Sequence, residues 1–436
     1  MKDEARQLAD ALQANDVVTT DALLSANPDL RVMLTRPIPH DPFGAAVLIY
    51  PAKRGHLDMV DVLVRHGADI NQRSDWWAGS FGVLDMCDPA IAPALIERGA
   101  RVDANAAARL GMLDTLVQLL DANPELVHAR GGDGQTPLHV AANVDIAREL
   151  VKRGADINAL DVDHESTPAQ YAAGERQDVA RYLVTRGCRT DILLAAALGA
   201  LELVQKHLAA RPEVLNMRVT PEWFPMRNPR AGGTIYIWTL GQGATAHSVA
   251  RAFGHEDIYQ CLMSQSPDEL KLIRAAQSGD EALVKRLTAS QPTSQPPSLS
   301  DEDRQAMVVA ISQGNTAAVR LMLEAGWPTD VRGESGGTPL HWAAWMGNAE
   351  LARELVRHGA ALEDRGDHYN MTPLGWALHG SLNSWARTQG DYAATVRVLL
   401  DAGASPPDPA AGSGSDAALE ALRSSPTRQP RAAPPS

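Results

Sequence analysis

Residues 335–366, SGGTPLHWAAWMGNAELARELVRHGAALEDRG, decide the fold. Thr338 precedes Pro339, and proline is tolerated in a helix only in its first turn, where its missing N–H has no partner to lose. Ala343 and Ala344 continue the helix, Gly347-Asn348 break it, and Leu351 to Val356 carry a second apolar stripe at helical spacing that Gly359-Ala360 end. The unit is two short helices and a turn. Working outward, the stop returns as Gly67-Ala68, Gly99-Ala100, Gly154-Ala155, Gly187-Cys188 and Gly326-Trp327, and the Thr-Pro opening as Thr136-Pro137 and Thr167-Pro168. Gly154 to Gly187 and Gly326 to Gly359 are each 33 residues apart, and Gly67 to Gly99 is 32. One unit of this size cannot cover its own apolar face, so the period implies a stack of units that share a continuous core.

The run Thr338-Pro339-Leu340-His341-Trp342-Ala343, with this period, resembles the ankyrin repeat. The resemblance implies an all-α solenoid of about twelve degenerate helix-turn-helix repeats with β-hairpin fingers. It also implies that first helices and fingers line a concave face, and that the mode of action is binding. The signature histidines His139 and His341 are expected to tie neighbouring turns by side-chain hydrogen bonds.

Four segments are expected. Residues 1–290 hold about nine repeats, opened by a polar capping pair over 3–31 and carrying an extended finger at 216–240. There TIYIWTL alternates branched and aromatic residues at strand period, which predicts a hairpin. Residues 291–300, QPTSQPPSLS, read as a linker, and 301–405 as about three more repeats, the last with about 11 extra residues in HGSLNSWARTQGDY. Residues 406–436 read as a disordered tail, with room for a short helix over 416–423.

With 44% hydrophobic but only 5% aromatic residues, the chain suits thin layers of small-residue helices. The formal charge of −13 argues against a general attraction to nucleic acid or anionic membranes. No apolar run approaches the roughly 18 residues a membrane span needs, and no signal segment follows the first charges, so a cytoplasmic monomer is expected. Cys87, Cys188 and Cys261 are widely spaced and form no C-x-x-C pair. His164-Glu165 and His255-Glu256 lack the second histidine of a zincin, and neither a phosphate loop nor a nucleophile elbow is present. No cofactor, metal or catalytic residue is assigned.

Counting back from each turn glycine places Trp345-Met346 and His379-Gly380 on the concave wall, which turns aromatic towards the C-terminus. Exposed Trp and Met are enriched in binding cores because they remove much area from water at small entropic cost. Trp345, Met346, Trp376, His379 and Trp385 are therefore the candidate partner-binding residues, with Trp223, Tyr236 and Trp238 of the long finger second. The favoured function is a scaffold or adaptor that binds a protein partner. The alternatives are a small-molecule binder or unusual enzyme using His379, Asp391 and Tyr392 at the inserted loop, and an effector or inhibitor of a partner enzyme.

Overall fold

A computed structural model describes residues 2–38, 41–290, 298–366, 368–406 and 413–424. The repeat at 338–360 shows how the sequence makes its elements. Thr338 is extended (φ −76°, ψ 169°), and its N–H donates to His341 Nδ1 at 3.1 Å, so the helix Pro339–Trp345 starts with a satisfied donor. The Asn348 side chain accepts from Leu351 N–H and caps Ala349–Arg357. Gly359, at φ 84°, lets Ala360 N–H reach back to the Leu355 carbonyl at 3.0 Å, a closure that a side chain in the left-handed region would oppose by about 1 kcal/mol. Leu340, Ala343, Ala344, Leu351, Ala352 and Leu355 are completely buried, and the alanines let first helices of adjacent repeats approach closely.

The chain divides into two compact units, Met1–Leu262 and Met263–Ser436. In the first, helix pairs run from Lys2–Ala14 with Val17–Ala26 to Ile192–Ala197 with Leu201–Ala210, followed by Ala246–Ala252. The repeat at 136–152 departs from the pattern, because its first half is a set of turns and only Val144–Lys152 is helical. The turn there is about three residues short. The carbonyls left over are taken by the half-buried Arg176, whose guanidinium donates to Ala141 at 2.8 Å and His139 at 3.0 Å.

The second unit contains Asp268–Ser278 with Glu281–Ser290, Asp301–Ser312 with Thr316–Glu324, the 338–360 repeat, and Pro373–Asn383 with Tyr392–Asp401. The boundary between the two units, after Leu262, precedes the Pro/Ser stretch. Asp268–Ser278 packs on Asp301–Ser312 and Thr316–Glu324, and buried Arg274 pairs with buried Asp303 at 2.6 Å. Trp327 Nε1 donates to the Asp303 carbonyl at 2.9 Å, so the two sides of the stretch share one core. Residues 291–297 of the linker lie outside the described residues.

Two further expectations change. Among the described residues no β-strand is present, and the expected hairpin fingers are turns closed by single contacts such as Gly131 N–H to Gln135 carbonyl and Ser74 N–H to Phe81 carbonyl. Residues 216–240 also form no hairpin: Ile237–Gly241 is a wide helical turn, and a single antiparallel bridge joins Arg218 to Thr245. The reason is anchoring. Gly232 N–H donates to the Asp163 carbonyl, and Tyr236 is pulled inside to donate its hydroxyl to Asp191, leaving no free edge for a ladder. In the tail, Asp416–Ser424 is a helix, over the stretch where the sequence left room for one, with Ala418 and Ala421 fully buried against Tyr392–Asp401. The rest of the tail beyond 424 lies outside the described residues.

Candidate functional site

The signature histidines act as rivets between repeats. His139 Nδ1 accepts from Thr136 N–H at 3.0 Å while its Nε2–H donates to the Ser166 carbonyl of the next finger at 3.1 Å. His341 repeats the arrangement with Thr338 and the Met371 carbonyl. Burial pushes the His139 imidazole down to about 4, against the pull of the Ser166 carbonyl, so it is neutral at physiological pH.

In the second unit the predicted aromatic residues converge. Trp376 stands 5.5 Å from Trp342 and 5.9 Å from Trp345 between ring centroids, and Trp385 covers both at 6.2 and 6.1 Å. His379 lies against Trp345 at 5.7 Å. Trp376 is buried and Trp345 and Met346 are half-buried, whereas His379 is exposed, Trp385 is 59% exposed and Tyr369, which the sequence reading passed over, is 65% exposed. Trp376 is therefore the floor of the patch and not a contact residue. The indole N–H groups of Trp342 and Trp345 have no acceptor among the described residues. The inserted loop is packed down: Tyr392 is buried and donates its hydroxyl to the Trp345 carbonyl, and Asp391 caps its helix through Ala394 N–H. The proposed use of His379, Asp391 and Tyr392 as a pocket gains no support from this geometry.

The first unit holds a cavity of about 860 Å³ among first helices and fingers. Its rim includes Phe43, Trp76 and Trp238, the last 64% exposed. Trp223 is half-buried nearby in sequence, and Tyr236 is wholly buried, which removes it from the contact candidates. On the cavity wall, Asp133 from one finger meets Asp163 and His164 from the next. Burial, opposed by His164 and reinforced by the Asp163 charge, pushes Asp133 up to about 6. Asp161 behind them is also held up by burial; it accepts from His164 and Ser166 backbone N–H groups and from the Tyr171 hydroxyl.

The sequence reading missed this cluster because it searched for ligands at local helical spacing. Asp133 and Asp163 are 30 residues apart, about one repeat, and a stack makes such positions neighbours. Acidic residues recurring at one finger position were the available signal.

Comparison with known proteins agrees with this geometry. The description "Ankyrin repeats (3 copies)" matches residues 104–193 and 272–365, and "Ankyrin repeat" matches 43–75. The chain is 33% identical over 132 residues to Palmitoyltransferase Hip14 of Drosophila melanogaster, covering 30% of this chain and 19% of that one. It is 44% identical over 63 residues to Serine/threonine-protein kinase VIK of Arabidopsis thaliana, 14% of each chain. It is 30% identical over 130 residues to Ankyrin repeat and SAM domain-containing protein 6 of Rattus norvegicus, 28% of this chain and 14% of that one. The chain thus spans less than a fifth of the length of each of these relatives. Among the described residues no helix is long and apolar enough to cross a membrane. Paired helices stopped by left-handed glycines, histidine rivets from finger to finger and these matches have one explanation: the chain belongs to the ankyrin-repeat family.

Proposed function

We propose that the protein is an interaction module that takes an apolar, acid-flanked segment of a partner protein on the tryptophan patch of its C-terminal repeats. Ankyrin repeats imply protein partners, and the observation that carries the placement is the indole cluster of Trp342, Trp345, Trp376 and Trp385, open to solvent at Trp385 and Tyr369. Exposed aromatic surface of this kind is a poor solvent face and a good anchor. The acidic flank is argued from charge. Arg365 and Arg387 are exposed beside the patch, and among the described residues neither has a carboxylate partner; each donates only to a carbonyl, of Asn370 and Ser384.

A random peptide library selected on the full chain tests this reading. Sequences with Trp, Phe or Leu beside Asp or Glu should be enriched, and Trp385→Ala with Arg387→Glu should lose them by about 1.4 kcal/mol or more, tenfold, while the helical circular dichroism and melting stay unchanged. Equal recovery of the same peptides on the double variant refutes it. The cavity of the first unit favours a second reading, a small-molecule site, because its volume falls within the range of ligand pockets. Thermal shift against metabolite panels distinguishes the two, since it loads the first unit and is insensitive to Trp385→Ala.

A further inference from the structure

The cluster on the cavity wall has the arrangement of a metal site with its ligands already aimed. Each of its three side chains uses one polar atom to hold itself in place and turns the other to a common point. Asp133 Oδ1 accepts from Trp76 Nε1–H at 2.9 Å, Asp163 Oδ1 accepts from Gly232 N–H at 3.2 Å, and His164 Nδ1–H donates to the Gly233 carbonyl at 2.8 Å. That leaves Asp133 Oδ2, Asp163 Oδ2 and His164 Nε2. The imidazole nitrogen is 3.8 and 3.6 Å from the two oxygens, and all three atoms lie within 4.8 Å of one another. Asp133 Oδ2 receives one long contact, 3.4 Å, from Gln135.

These distances are too long for hydrogen bonds and close to the edges of a coordination polyhedron whose bonds are about 2.0–2.2 Å. The His164 side chain is only 9% exposed, and its Nε2, which has no hydrogen-bond partner among the described residues, is aimed between the two carboxylates on the cavity wall. Among the described residues no lysine or arginine reaches either carboxylate, although Asp163 is 5% exposed. Two facing carboxylates with no hydrogen-bonded cation are an unfavourable way to fill a protein interior. A cation supplies the missing charge. Hydrogen bonds that fix the tautomer of a histidine and the rotamer of a carboxylate are the outer contacts by which metal sites orient their ligands.

We propose that Asp133, Asp163 and His164 bind one divalent first-row transition ion of the zinc, manganese or iron(II) type, with its remaining coordination positions facing the cavity. The mixed donor set decides the class. Imidazole disfavours magnesium and calcium, which prefer oxygen alone, and the absence of thiolate in the set disfavours copper(I). Three protein ligands on a cavity wall leave room for water or an oxygen-bearing group, the open form of such sites. This goes beyond the partner-binding reading and is independent of the tryptophan patch, which belongs to the other unit.

The test is titration of the intact, chelator-stripped chain with Co²⁺, followed by visible absorption, and with Zn²⁺ by melting temperature. The expected result is one equivalent of Co²⁺ with d–d bands of a nitrogen-containing site, displaced by stoichiometric Zn²⁺ but not by excess Mg²⁺. His164→Gln and Asp163→Asn should each weaken binding by at least about 100-fold. Trp76→Phe, which removes the hydrogen bond orienting Asp133 together with part of the ring packed on Phe43 and Trp77, should weaken it about 10- to 100-fold. Asp163→Asn keeps the shape and removes one of two repelling charges, so without metal it should melt no lower than the unmutated chain while losing the Zn²⁺-induced rise. Absence of saturable Co²⁺ and Zn²⁺ binding overturns the proposal, as does binding that survives both ligand variants or yields to Mg²⁺ as readily as to Zn²⁺.

Discussion

Replacing His139 with glutamine should flatten the acid side of the stability profile of the first unit. His139 is completely buried, and its Nδ1 is committed as an acceptor to the Thr136 N–H, so protonation sets a proton against a donor in a site water does not reach. Its pKa is about 4 when folded and about 6.5 when the chain is unfolded. Between those values the unfolded chain binds the extra proton, so stability rises with pH across the window. The contribution is fully present above about 6.5, falls as pH drops to about 4, and is constant below. A separation of about 2.5 pH units at 1.36 kcal/mol each makes the loss about 3 kcal/mol. Asp161 and Asp191, whose carboxyls are held up by desolvation, act in the opposite sense, since they bind protons more readily when folded. They titrate in both proteins and cancel in the difference. Urea unfolding followed by fluorescence at pH 7.5, 6.5, 5.5, 4.5 and 4.0 should therefore show the gap between the unmutated chain and His139→Gln shrinking by about 3 kcal/mol towards acid. A gap that stays constant over this range refutes the claim that the rivet is a neutral imidazole.

Asp303→Ala should destabilise the second unit by about 3–5 kcal/mol in chemical denaturation, because it leaves the Arg274 guanidinium buried opposite a void; adding Arg274→Met should recover most of the loss. Gly79→Ala should cost about 3 kcal/mol, or about 6 °C of melting temperature for a unit of this size. Gly79 sits at φ 145°, and a β-carbon there would stand 2.2 Å from the Gly131 carbonyl oxygen and 2.7 Å from Gly134 N.

What the sequence made legible was whatever one repeat dictates alone. The Gly-Ala stop at Gly359 requires a left-handed residue whatever surrounds it, and the Thr-Pro opening at Thr338 fixes a helix start, so the helix pair between them could be read directly. The indole patch was half legible. The slot count brought Trp345 and His379 together, but Trp376 occupies the position after the histidine slot, where the preceding repeat covers it with His341, Trp342 and Trp345, and a one-residue offset on a helix turns a side chain by about 100°. The strand assignment over 234–240 failed for a related reason. Alternation predicts a strand only where a neighbouring edge is free, and Tyr236 found a stronger tether in the buried Asp191 carboxylate.

The cluster of Asp133, Asp163 and His164 shows why chemistry in such a fold escapes a linear search. In a helix or a hairpin, ligands that meet are a few residues apart, and motif spacings encode that fact. In a stack, fingers meet one period away, so Asp133 pairs with residues near position 163, and the loop bearing Gly232 and Gly233, about 70 residues beyond His164, holds the imidazole. The long 216–240 segment then has a physical purpose besides covering the core. It brings backbone groups across the finger tips, where Gly232 N–H orients Asp163 and the Gly233 carbonyl orients His164. A side chain at Gly232 would have its β-carbon 3.1 Å from Asp163 Oδ2, the atom left free for a ligand. The stack supplies the adjacency, and the irregular segment supplies the aim.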